Sequence, residues 1–336
     1  MVVPAVLVKA VVIGALALPT VLVGPTASGA GPVADPVRTV FHLADRDSDE
    51  RSDRDSDGDS DGASKSDSDQ KCNSPARVLD LANWKITLPV AKSDNAKSPE
   101  EILQPDLATF QTSPWFETTS DCDAVVFRAP VNGVTTSGSR NPRSELREMT
   151  GDGSANASWS STAGTHTMVV TEAFTHLPDV KPELVGAQIH DADDDITVFR
   201  LEGTNLYVTK GDDPHYKLVT SNYVLGTKYE AKYVVSGGKI DAYYNGVLQT
   251  TISERFRGAY FKAGAYTQAN CTDSSPCSKS NYGETTIYSV TVSHQVTQWQ
   301  LIWDWIMYAL PVALGVLVVA ALGWLLWRRL RARRAA

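Results

Sequence analysis

Between residues 72 and 300, polar and apolar positions alternate with period two in short runs. No long segment there repeats every 3.6 residues. The runs are rich in Val, Ile, Thr, Tyr and Trp, and Gly, Pro, Asn and Asp separate them. This is the pattern of antiparallel strands with one face buried. Predicted strands are Trp84–Leu88, Ala124–Ala129, Arg143–Glu148, Thr165–Thr175, Leu184–His190 and Ile196–Glu202. They continue with Asn205–Thr209, Lys228–Ser236, Lys239–Tyr244, Val247–Ile252, Tyr260–Gln268 and Thr285–Ser293. Gly237-Gly238 and Asn245-Gly246 read as two-residue hairpin turns. Pro99–Thr109 reads as a short helix or turn. Many short strands joined by close turns predict an all-β sandwich, a β-jelly-roll.

The ends of the chain follow other rules. Residues 1–30 are apolar apart from Lys9, with small residues at Ser28 and Ala30. They are expected to be a signal peptide, with an uncleaved N-terminal anchor as the alternative; both export the chain. Residues 31–71 are expected to be a disordered spacer, because 45–69 are Asp/Ser-rich with no aliphatic or aromatic side chain beyond Ala63. Asp53, Asp55, Asp57 and Gly58 match the start of a calcium loop, yet Ser64 stands where a bidentate Glu is needed. Ile306–Trp327 is a 22-residue apolar run flanked by Trp303 and Trp305 and by Trp324 and Trp327. Arginines follow at once. We expect a transmembrane helix over 303–327, a cytoplasmic tail over 328–336 and a globular domain at 72–295 outside the cell.

Charge changes the picture once it is divided. The chain carries -8 overall. Residues 45–69 hold eleven acids and four bases, and 328–336 hold five arginines. Residues 70–300, with 26 acids and 20 bases, are only mildly acidic. A polyanion would have to be held by a local basic patch, and nucleic acid is not an expected partner. Cys72, Cys122, Cys271 and Cys277 in an exported chain point to two disulfides. Three pairings are open. The favoured one is Cys72–Cys122 with Cys271–Cys277, the latter closing a short loop after a strand of interest. No CxxC pair suggests a metal, and no cofactor is expected.

That strand is Tyr260–Gln268. Alternation puts Tyr260, Lys262, Tyr266 and Gln268 on one face, with Gly264 leaving a gap, and Phe261, Ala263, Ala265 and Thr267 on the other. In Arg143–Glu148 the same period aligns Arg143, Glu145 and Arg147. In Gln188-Ile189-His190 the outer residues share a face. Three such strands side by side would line one groove. His166, His176, His215 and His294 are read as hydrogen-bonded structural residues, and the acidic Asp191–Asp195 run as a solvated loop.

Arg143-Ser144-Glu145-Leu146-Arg147-Glu148-Met149, Gln188-Ile189-His190 and Tyr260–Gln268 resemble the three signature motifs of polysaccharide lyase family 7, the alginate lyases. Asn83–Pro89 and Val125–Pro130 match as well, and the resemblance runs from about Cys72 to His294. It implies a concanavalin A-like jelly roll with a substrate groove across its concave sheet. It also implies a catalytic set of Arg143, Gln188, His190 and Tyr266. The spacer and the C-terminal anchor depart from the usual secreted form.

The residues suit that chemistry. β-Elimination in a 1,4-linked uronate polymer removes the proton at C5 and expels the O4 leaving group. Arg143 and Gln188 are suited to neutralising the adjacent carboxylate. His190 titrates near working pH, and Tyr266 is a natural acid that nearby cations also suit to act as a base. Lys262 and Arg147 would hold neighbouring carboxylates, Glu145 would position the arginines, and Tyr260 and Gln268 would complete the substrate-binding face. Members with Ile at the position of Ile189 tend towards guluronate-containing blocks. The rival readings are an acidic-polysaccharide-binding module, a lyase for another polyuronate such as glucuronan, and a glycoside hydrolase. The last lacks a facing carboxyl pair. No dimerisation signal is present, so the domain is expected to be monomeric.

Overall fold

In the computed structural model the described residues are 73–334. Among them fifteen strands run in chain order: β1 (Trp84–Ala91), β2 (Pro99–Ile102), β3 (Phe116–Thr118), β4 (Val125–Pro130) and β5 (Arg143–Glu148). Next come β6 (Thr165–His176), β7 (Glu183–His190), β8 (Asp195–Glu202), β9 (Asn205–Lys210) and β10 (Asp213–Thr220). The last are β11 (Tyr229–Ser236), β12 (Lys239–Tyr244), β13 (Val247–Ser253), β14 (Tyr260–Thr267) and β15 (Tyr282–Gln295). They form two antiparallel sheets. One has the order β10-β9-β8-β7-β14-β5-β1-β2 and the other β13-β12-β11-β6-β15-β4-β3.

Alternation decides which side of each strand packs. On β14, Phe261, Ala263, Ala265 and Thr267 are fully buried between the sheets. Facing layers supply Phe127, Met168, Val170, Phe174, Tyr229 and Tyr233, which join Phe261, Ala263 and Ala265 in a single core cluster. Truncating one such aromatic costs about 3–5 kcal/mol. The two hairpins form at the expected dipeptides. Gly237, Gly238, Asn245 and Gly246 all have positive φ, as a tight turn between right-twisted strands requires.

Three strands escape the sequence pattern. β10 begins Asp213-Pro214 and lies at a sheet edge, where a missing N–H costs nothing and side chains stay exposed. β2 is a four-residue edge strand containing two glutamates. It corrects the reading of Pro99–Thr109, in which only Asp106–Ala108 is helical, as one 3₁₀ turn. β3 spans only three residues.

Helix α1 covers Gln298–Arg334 and includes Pro311. Its segment Gln298–Arg328 is long and apolar enough to cross a membrane. The Cys271–Cys277 disulfide is present in the loop between β14 and β15. Cys72, the expected partner of Cys122, lies outside the described residues, as do the expected signal peptide and spacer.

Candidate active site

β14 sits in the middle of its sheet, between β5 and β7. Lys262 is opposite Arg147 on β5 and opposite Gln188 on β7. Tyr266 is opposite Arg143, and Tyr260 is opposite His190. The three polar faces read from the sequence therefore form one continuous surface.

Glu145 is its hub. Only 1% exposed, it takes Lys262 Nζ at 2.5 Å and Arg143 Nη1 at 3.1 Å on one oxygen. Gln188 Nε2 donates to the other. A buried carboxylate is tolerable because these donors satisfy it. Arg143 lies with its guanidinium carbon 4.0 Å from the centre of the Tyr266 ring, and its buried Nε has no partner among the described residues. Arg147 does not join Glu145, contrary to the expectation that this carboxylate holds both arginines. Its guanidinium instead covers Tyr260 at 3.8 Å and donates to the Glu148 carbonyl at 3.1 Å. The Tyr260 face is the better partner because Lys262 already occupies the space beside Glu145.

His190 stacks on Tyr260, with ring centres 5.3 Å apart. Its Nδ1 lies 2.6 Å from the Asp191 carbonyl and 3.2 Å from the Tyr260 hydroxyl. A carbonyl only accepts, so Nδ1 carries the proton and the lone pair of the neutral ring is on Nε2. Burial, and next the Lys262 cation, lower the pKa of His190. The imidazole is therefore neutral at pH 7. Burial raises the pKa of Tyr260, which stays a neutral phenol. Lys262 is lowered to about 8, first by burial and then by Arg143, while Glu145 works the other way.

Beyond Tyr266 the groove widens into a cavity of about 270 Å³ lined by Asp195, Arg200, Asp212 and Gln268 among others. Gln268 is tied to Arg200, whose Nη1 donates to its side-chain carbonyl at 3.1 Å. Arg200 also pairs with Glu183 and Glu202. Asp195 opposes His190 across β7 and β8. Burial and the neighbouring Asp194 carboxylate raise its pKa to about 6. Asp195 thus belongs to the groove, which corrects its reading as part of a solvated loop. Arg200 was missed as well, because a bulge between Val185 and Gln188 shifts the register of both neighbours of β7. Sequence alternation carries no mark of such a bulge.

The four histidines read as structural each have a partner. His176 Nδ1 meets the Tyr282 carbonyl, and His215 meets Glu202. His166 Nε2 sits between two carbonyls and its Nδ1 contacts His294, which in turn reaches Glu148 at 2.5 Å. Among the described residues no group of three or more His, Cys, Asp or Glu is arranged to hold a metal.

Residues 79–294 match the family model described as alginate lyase. Among solved structures, the chain resembles the alginate lyase from Corynebacterium sp. with 66% identity and a TM-score of 0.65, covering 67% of this chain and all of that one. Alginate lyase AlgAT5 from polysaccharide lyase family 7 is 49% identical with a TM-score of 0.62, over 66% of this chain and 99% of that one. An alginate lyase of Klebsiella pneumoniae is 38% identical over 77 residues, which are 23% of this chain and 25% of the relative. Family 7 alginate lyase A1-II', solved in complex with a substrate written GGMG, is 27% identical with a TM-score of 0.55 over 67% of this chain and 98% of that one.

Proposed function

The chain belongs to the alginate lyase family and is a polysaccharide lyase; we propose that it cleaves alginate by β-elimination on the groove formed by β5, β7 and β14. Arg143 and Gln188 face the carboxylate of the uronate being cleaved. As the C5–H bond breaks, charge builds on that carboxylate, and donors fixed beforehand stabilise it without reorganising. The proton passes to His190 Nε2 or to Tyr266, depending on which ring face carries it. Mannuronate and guluronate present it on opposite faces. The electron pair forms the C4–C5 double bond, the C4–O4 bond breaks, and Tyr266 protonates the departing oxygen. The observation that carries this reading is the neutral His190 with Nδ1 fixed on the Asp191 carbonyl, on the same sheet face as Arg143 and Tyr266.

Arg147, Lys262, Tyr260 and Gln268 take the neighbouring sugars. Three cations, Arg143, Arg147 and Lys262, outweigh Glu145, which gives an anionic polymer a local attraction that the whole domain lacks. A hydrolase reading loses support from Glu145 itself, since a carboxylate already shared by three donors is poorly placed to protonate a glycosidic oxygen. Guluronate-containing blocks are the preferred substrate in this reading. Ile189 is fully buried, so it acts on that preference only by fixing the strand on which Gln188 and His190 stand.

The same proposal has the domain working outside the cell. Residues 1–30 direct export, 31–71 form a spacer, the 72–295 domain faces the medium, 303–327 anchor it and 328–336 remain in the cytoplasm. The length and apolar character of α1 support the anchor.

Ultraviolet absorbance of the unsaturated product tests the lyase directly. Full-length protein in detergent, given polymannuronate, polyguluronate and mixed alginate, should raise the absorbance of the conjugated C4–C5 double bond. Tyr266→Phe should reduce the rate on every substrate by at least about a hundredfold, and His190→Ala should do the same on the epimer whose C5 proton His190 takes. Binding without any absorbance rise would favour a polysaccharide-binding module or a lyase for another polyuronate.

A further inference from the structure

The segment between β4 and β5 passes over the end of β14 and brings Ser139 to Tyr266. The two hydroxyl oxygens are 2.9 Å apart. Ser139 has one hydrogen to give, and its Oγ donates to the Asn141 carbonyl at 3.1 Å. It also accepts from the Asn141 amide at 3.0 Å. With its hydrogen so used, Ser139 receives the Tyr266 hydrogen, and the phenol at rest is a protonated donor with a fixed O–H direction.

The segment is held where it is needed. Asn270 Nδ2 donates to Asn141 Oδ1 at 2.9 Å, and the Thr267 amide donates to the Pro142 carbonyl at 3.1 Å. Asn270 adjoins the Cys271–Cys277 disulfide. The loop that carries Ser139 is therefore fastened to both the last residue of β14 and the loop that follows it.

We propose that Ser139 is a positioning residue for Tyr266, accepting its hydrogen before reaction and donating to the phenolate once the proton has gone to the leaving oxygen. This rests on the reading of Tyr266 as the acid. No bond forms or breaks at Ser139. Its O–H rotates from the Asn141 carbonyl to the phenolate oxygen, while the Tyr266 proton moves to O4 as the C4–O4 bond breaks. A hydrogen bond to an anion is about twice as strong as one between neutral groups. Ser139 therefore favours the phenolate and makes Tyr266 a better acid. The other charged groups around Tyr266 are Arg143 on β5, Lys262 on β14 at 5.9 Å from its ring, Asp195 and Arg200 on β8, and Asp212 beyond β9. None of them is altered by a change at Ser139.

The test compares Ser139→Ala, Ser139→Thr and Tyr266→Phe in the full-length protein, following product absorbance across pH. Loss of one charge-assisted hydrogen bond in the transition state predicts a fall of about tenfold in kcat for Ser139→Ala, with KM within about twofold. The basic limb of kcat should move up by roughly one pH unit, because Tyr266 holds its proton longer. Ser139→Thr keeps the hydroxyl and should restore both. If Ser139→Ala has normal kcat and an unmoved limb while Tyr266→Phe is inactive, the role of Ser139 is overturned and that of Tyr266 stands. An active Tyr266→Phe removes both. A slow Ser139→Ala with a lowered melting temperature and an unmoved limb assigns Ser139 to loop structure alone, which also overturns the proposal.

Discussion

Lys262 is pulled in two directions. Burial and Arg143 drive its pKa down to about 8, whereas Glu145 at 2.5 Å holds the proton on. The balance leaves an ammonium at neutral pH and an amine above about pH 8. Deprotonation removes one of the three cations that attract a polyuronate, and it leaves Glu145 with one charged partner fewer. Substrate affinity should therefore weaken as pH rises through about 8. We expect KM for alginate to climb across that range. Lys262→Met should show a KM already raised at pH 7, by about tenfold, with no further step near pH 8. A wild-type KM that stays flat across this interval would place the alginate carboxylates elsewhere. Ser139, Asp195 and Arg200 show the limit of reading side chains one at a time. Each owes its place to a neighbouring strand or loop, not to its own surroundings in sequence.

At the scale of the element, β5 holds β14 at two points. Glu148 on β5 accepts the Phe261 amide at 2.9 Å and the Trp159 indole at 3.0 Å, and its other oxygen meets His294. This fixes the part of the strand that carries Tyr260 and Lys262. Further along, Gly264 has φ +146° and lies against β5. A Cβ there would come within 2.5 Å of the Ser144 carbonyl oxygen and 2.8 Å of Glu145 Cα. The gap seen in the sequence is thus a close approach of two backbones at the row that holds the Glu145 hub. Gly264→Ala should cost about 1–3 kcal/mol in denaturant unfolding, from backbone strain and displacement of β5. Its kcat should fall further than partial unfolding explains, because Glu145 moves with β5. Normal kcat in the folded fraction would show that the hub tolerates the shift.

Across the whole domain, period-two alternation made the sandwich legible because each long strand has one apolar face that must be buried. Arg143–Glu148 was readable on its outer face, where Arg143, Glu145 and Arg147 line up, whereas the inward Glu148 beside Ser144 and Leu146 is satisfied by Phe261, Trp159 and His294, partners that its neighbours in sequence do not announce. Edges and bulges were not readable. Pro214 argues against a strand until the sheet edge is known, and the irregularity between Val185 and Gln188 alters which residues share a face. The core contains one further departure. Glu172 stands at an inward position on β6 between Val170 and Phe174, fully buried, accepting from Tyr229 OH at 2.7 Å and from the Ala187 amide at 3.3 Å. Its other oxygen has no partner among the described residues. Gly186 gives it room, since a Cβ there would lie 2.6 Å from the carboxyl oxygen. Burial raises its pKa from 4.5 to about 7. The unfolded chain gives up this proton near pH 4.5 and the folded one holds it until about pH 7. Folding stability from this group is therefore fully present below about pH 4.5 and declines as pH rises to about 7. The total loss is on the order of 3 kcal/mol. Glu172→Gln keeps the shape of the protonated acid and cannot ionise. Its melting temperature should match wild type at pH 4.5 and exceed it at pH 7.5, and an equal difference at both pH values would mean that Glu172 is not the group that titrates.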